Sequence, residues 1–153
     1  MSKNLKDIVI TTALRTPIGR YNGLFKDKHA HELGSIVIKE ILNKSNLKPN
    51  DIDEIIMGQV LTGLTGQNPA RQAAILSNIP KEKTAYLINQ VCGSGLRAIV
   101  AGYQSVLLND SDIILAGGQE SMTKSTEKMM LKDGLIDAFN NYHMGITAEN
   151  VAE

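Results

Sequence analysis

The chain has 153 residues, 42% of them hydrophobic and 21% charged, with 16 basic residues balanced by 16 acidic ones. That is the size of one ordinary domain with a buried core, and the composition excludes a disordered chain. The cancelling charge leaves no basic field aimed at nucleic acid or an anionic membrane, and the single cysteine excludes an internal disulfide.

The first residues, Met1 to Asp7, lack the apolar core of a secretory signal, and no stretch reads as long and apolar enough to span a membrane. A cytoplasmic enzyme or binding protein is the expectation. Residues 8–13, rich in β-branched side chains, read as a first strand. Arg15-Thr16-Pro17-Ile18-Gly19 breaks it. From near His31 apolar residues recur at helical spacing (Leu33, Ile36, Val37, Ile41), and that helix ends before Lys48-Pro49. A second strand follows at residues 55–60. After a glycine-rich loop, Pro69 opens a helix running through Arg71, Ala74 and Leu76.

Residues 85–91 form a compact apolar run of strand length, and residues 113–116 form another. Between them Leu96, Ile99, Val100, Tyr103, Val106 and Leu107 recur at three and four residues, as in a helix. Strand, helix and strand at this spacing predict a βαβ unit whose strands are parallel neighbours. The alternation along the whole chain predicts an α/β layered domain with a mainly parallel sheet.

Cys92 falls where the first of those strands ends and the helix begins, in Cys92-Gly93-Ser94-Gly95. The first turn of a helix carries unpaired N–H groups and about half a positive charge, both of which stabilise a thiolate. Helix N-termini are among the settings that lower a thiol pKa from about 8.5. Gly93 and Gly95 permit tight backbone geometry and leave room for an approaching acyl group. Nearby N–H groups are suited to an oxyanion hole for acyl transfer. The competing reading of a lone cysteine is a small buried hydrophobe. His29 and His31, two apart at a helix start with no cysteine beside them, make a poor metal pair. The loop over residues 63–66 lacks the Lys-Ser/Thr ending of a P-loop.

Several stretches resemble thiolases, most closely the acetyl-CoA acetyltransferase branch. They are Arg15-Thr16-Pro17-Ile18-Gly19, Gly66-Gln67-Asn68-Pro69-Ala70-Arg71-Gln72-Ala73, Asn89-Gln90-Val91-Cys92-Gly93-Ser94-Gly95-Leu96 and Ala116-Gly117-Gly118-Gln119-Glu120-Ser121-Met122. A loop-domain motif is similar too, in Lys132-Asp133-Gly134-Leu135 and Tyr142-His143-Met144-Gly145. The resemblance implies a thiolase-like layered α/β fold: an N-terminal αβα half with a mixed, mostly parallel sheet at residues 1–121, then the start of a loop domain at 122–153. It implies that Cys92 is the acyl-carrying nucleophile and that Gly93, Ser94 and Gly95 form the oxyanion and active-site loop. His143 and Met144 match positions lining the pantetheine and thioester end of a CoA pocket. The implied reaction joins two acetyl-CoA molecules to acetoacetyl-CoA and free CoA, or runs in reverse, with the CoA thioester as substrate and no metal or resident cofactor.

Thiolases complete their site with an Asn-bearing loop, a Gly-His-Pro histidine and a Cys-x-Gly cysteine, none of which has a counterpart in these 153 residues. The segment between Met122 and Leu131 is also shorter than the family's tetramerisation segment. Cys92 is therefore expected to need a base from elsewhere, which a complementary C-terminal thiolase half could supply; a homo-oligomer is the other expected partner. Leu96, Ile99, Val100 and Leu107 are expected to face solvent on at least one side, leaving the chain alone oligomeric or poorly soluble. Two alternatives stand beside this. One is a catalytically incomplete remnant acting at most as a CoA-binding or interaction module. The other is a related condensing enzyme such as a ketoacyl synthase or hydroxymethylglutaryl-CoA synthase, which the Cys92 and Tyr142-His143-Met144-Gly145 motifs disfavour.

Overall fold

In the computed structural model, which describes residues 7–153, three short apolar runs build one sheet. They are β1 (Glu54–Gly58), β2 (Thr84–Ile88) and β3 (Ile114–Gly118), and every pairing is parallel. The order is β2-β1-β3, with Glu54 in register with Thr84 on one side and Ile114 on the other. The two strands of the predicted βαβ unit are thus parallel but not neighbours, because β1 is inserted between them. Side chains explain the central place of β1: Ile55 and Ile56 point to opposite faces and are both fully buried.

Helices cover both faces. Ile38 and Leu42 of α1 (Ala30–Ser45) and Ala70, Ala73 and Ala74 of α2 (Pro69–Leu76) share one core with Ile55, Met57, Ala85 and Leu115. The opposite face is covered by α3 (Ser94–Leu108), where Gly102 comes against Ala116. Small residues make this contact: Ser94, Ala98 and Gly102, one helical turn apart, are the buried positions of α3. The larger stripe faces away, with Leu96 70% exposed and Ile99, Val100 and Tyr103 also exposed. By length and composition Val91–Leu108, at mean hydropathy 1.2, is apolar enough for a membrane crossing. That corrects the sequence expectation; here the segment packs on the sheet through its small-residue side.

Residues 8–13 form no strand, and Val9 and Ile10 are 73% and 74% exposed. β-Branched content favours a pleated surface but supplies no partner, and this stretch pairs with neither edge strand of the sheet, β2 or β3. Beyond β3 the chain makes a short helix, α4 (Glu127–Met129), continues through a wider π-type turn over Met130–Leu135, and ends in α5 (Met144–Ala152).

One carboxylate ties the leading ends of all three strands. Asp53, just before β1, accepts the N–H groups of Asp112 and Ile113 through Oδ2 at 2.9 and 3.1 Å, and its Oδ1 pairs with Lys83 Nζ at 3.4 Å. Those two backbone donors, and then Lys83, hold its carboxyl below the usual range. A depressed carboxyl contributes stability that is present above its unfolded pKa and lost as pH falls through the folded value. Asp53→Asn is therefore expected to destabilise the chain by about 1 kcal/mol at neutral pH, allowing for solvent screening. It should also flatten the acid limb of a plot of urea midpoint against pH.

Candidate active site

Between β2 and α3 the chain reverses through Asn89, Gln90, Val91, Cys92 and Gly93. Val91 takes φ 47, a left-handed conformation that β-branched residues rarely adopt and that costs about 1–3 kcal/mol. Ser94 holds it there. Its buried hydroxyl accepts the Gln90 N–H at 2.8 Å and donates to the Val91 carbonyl. Asn89 Oδ1 accepts the Val91 N–H at 2.9 Å, and the Gln90 carbonyl accepts the Gly93 N–H at 3.0 Å. Gly93 is the N-cap of the 15-residue α3, and Cys92 stands exposed immediately before it. The thiol is therefore presented where the helix's unpaired N–H groups and positive dipole end converge. A buried structural cysteine does not describe it.

The start of α3 rests directly on strand backbone. A Cβ on Gly58, the last residue of β1, would lie 2.2 Å from the Ser94 carbonyl carbon and 2.4 Å from the Gly95 nitrogen. On the other side, a Cβ on Gly118 would lie 3.2 Å from the Gly95 Cα. Only bare backbone at the ends of β1 and β3 allows the cysteine turn to sit this low over the sheet.

Cys92, Ser94 and Gly95 open onto a cleft of about 770 Å³ whose apolar walls include Ile18, Phe25 and Met57. A polar seam runs along it. Gln119 Nε2 donates to Gln59 Oε1 at 2.8 Å, and Gln59 Nε2 donates to the Leu61 carbonyl at 2.8 Å; both glutamines are buried. Glu120 Oε2 accepts the N–H groups of Val60 and Leu61 at 2.8 and 3.4 Å. Burial pushes the Glu120 carboxyl above its ordinary range, while the N–H groups of Val60, Leu61 and Ser121 pull it back. Sequence reading did not single out Gln59 or assign Glu120 a role. The available signal was a shared one: β1 and β3 each end in Gly-Gln, at Gly58-Gln59 and Gly118-Gln119, a polar residue straight after an apolar run.

His143 caps α5, its Nδ1 accepting the Gly145 N–H at 3.0 Å, and its side chain is exposed. Neither His143 nor Met144 lines the Cys92 cleft. The structure thus gathers Cys92, Ser94 and Gly95 with Gly93 at the cap, and leaves His143 and Met144 apart from them. No histidine lines the cleft among the described residues. His29 and His31 instead stack on each other at the start of α1, with ring centroids 5.4 Å apart. Among the described residues no group of three or more His, Cys, Asp or Glu is placed to hold a metal ion.

The family model described as "Thiolase, N-terminal domain" matches residues 8–129. An acetyl-CoA acetyltransferase of Paracoccus denitrificans is 51% identical, covering 94% of this chain and 41% of the relative. One of Rhizobium meliloti is 49% identical, covering 95% and 41%. A probable acetyl-CoA acyltransferase of Staphylococcus epidermidis is 48% identical, again over 95% and 41%. The chain thus spans well under half the length of these relatives. Matched motifs in order, a layered α/β fold and a cysteine at the start of α3 agree with the sequence resemblance, and the chain belongs to the thiolase family.

Proposed function

We propose that this chain provides the acyl-accepting part of a thiolase reaction, with Cys92 as nucleophile and a CoA thioester as acyl donor. The observation that carries the reading is the exposed thiol on a strained, pinned turn at the N-terminus of α3. The Cys92 thiolate attacks the thioester carbonyl carbon, and the developing oxyanion is met by N–H groups at the helix start. Collapse of the tetrahedral intermediate breaks the bond to CoA sulfur, and CoA leaves as a thiolate that takes up a proton. The acyl group then passes from Cys92 to a second thiol or carbanion, which restores the cysteine. The names of the relatives favour an acetyl group, hence acetyl-CoA C-acetyltransferase chemistry giving acetoacetyl-CoA and CoA, or its reverse.

The absence of a histidine from the cleft among the described residues favours a requirement for further thiolase polypeptide to supply the base. The exposed stripe of Leu96, Ile99, Val100 and Tyr103 is where such polypeptide, or a second copy, would be accommodated. A second reading draws on the same absence: a remnant that binds CoA without turning it over.

Intact-mass spectrometry after incubation with acetyl-CoA tests the proposal. One acetyl adduct at Cys92 once a C-terminal thiolase half is added, absent from Cys92→Ala, is the expected result. An adduct on the chain alone would show that the helix start activates the thiol without an external base. No adduct under either condition, with CoA still bound, sinks acyl transfer and leaves the remnant.

A further inference from the structure

Glu120 closes a ring of contacts beneath Cys92. Gly58 and Gly118 bear on Ser94 and Gly95 at the start of α3. Two residues beyond each glycine, Val60 and Glu120 are joined, because Glu120 Oε2 accepts the Val60 N–H. The same oxygen accepts the Leu61 N–H, and Gln59 holds the Leu61 carbonyl, so the turn after β1 is fixed from both sides. The other oxygen, Oε1, is buried with no hydrogen-bond partner. A glutamine would accept the same two N–H groups without a buried charge. For holding the turn alone, a carboxylic acid is therefore the less stable choice.

We propose that Glu120 is a positioning residue for Cys92, acting through Val60, Leu61 and Gly58 to hold the start of α3, with its ionisation loosening that hold. The inference rests on the reading of Cys92 as the nucleophile. An ionised carboxylate makes charge-assisted bonds to the Val60 and Leu61 N–H groups, but it also leaves a buried charge with Oε1 unpartnered. Burial outweighs those bonds and raises the carboxyl's pKa, so the seated turn is favoured below that pKa and loosened as pH rises through it. The other titratable groups facing the cleft are Arg15, Arg20 and Tyr21 from the N-terminal loop and Cys92 itself; α1 presents only Leu33, Gly34, Val37, Ile38 and Ile41.

The test is the rate of Cys92 alkylation by iodoacetamide on the full chain, followed by intact mass between about pH 5 and pH 9. In the native chain the rate is expected to fall, above the Glu120 transition, below the line set by thiolate titration alone. Glu120→Gln is expected to follow a single titration, and Glu120→Ala to be slower by about 3-fold or more throughout, with unchanged circular dichroism. A Glu120→Ala variant that reacts at the native rate overturns the proposal, as does a departure from thiolate titration that persists in Glu120→Gln. If the alanine variant does not fold, the native and glutamine profiles still decide. Alkylation needs no acetyl-CoA, so failure of acyl transfer is read separately.

Discussion

Gly58→Ala is expected to be among the most damaging single-methyl additions to this chain. The new Cβ would meet three backbone atoms, the Ser94 carbonyl carbon and oxygen and the Gly95 nitrogen, all within 2.4 Å. Backbone cannot rotate out of the way as a side chain does, so either β1 or the start of α3 must move. A cost of about 3 kcal/mol is expected, a large share of a typical domain's stability of about 5–15 kcal/mol. Urea unfolding gives the stability, and Cys92 alkylation reports the displaced turn even if the fold survives. Gly117→Ala is the matched control, because a Cβ there meets nothing within 4 Å. Equal midpoints for the two variants would show that α3 does not rest on β1 as described.

The second large effect is expected at Ser94. Its alanine variant loses both hydroxyl bonds that hold the Val91 turn, at a cost of about 1–3 kcal/mol. The unfavourable φ of Val91 is then free to relax, and Cys92 moves with it. Formation of the acyl adduct should slow by about 10-fold or more, since small misplacements of a nucleophile are costly. Adding Val91→Gly should recover stability, because glycine adopts positive φ without strain. It should recover little of the rate, because nothing then selects the turn. Full recovery of both would mean that Ser94 contributes only to stability.

Local signals in the sequence carried most of the architecture. Pro69 and the apolar spacing after His31 located α2 and α1, and the Cys92 junction fell between β2 and α3 as read. Long-range choices were not legible. Nothing in residues 54–58 says that β1 sits between β2 and β3, because pairing partners lie far along the chain. The apolar stripe of α3 was visible, but the sheet selected Ser94, Ala98 and Gly102, since close approach to β1 and β3 needs small residues. Residues 8–13 have strand-like side chains but pair with neither edge of the sheet, a choice that propensity does not encode. At the site, the placement of Cys92 just ahead of a helix was readable. The strain at Val91 and the Glu120 contact to Val60 were not, because both arise from tertiary placement.

The sheet order also dictates when the site comes into being. β1 pairs with Thr84–Ile88 on one edge and Ile114–Gly118 on the other, so its ladders join segments far apart in the chain. Such non-local pairing makes folding slow, because loop closure must precede any reward from contacts. During synthesis the central strand emerges before β3, apolar on both faces. Gly118 and Glu120, which complete the support under Cys92, belong to β3 and the residues after it. The nucleophile's seat therefore requires β3 to have paired with β1, and without that pairing the thiol is unseated.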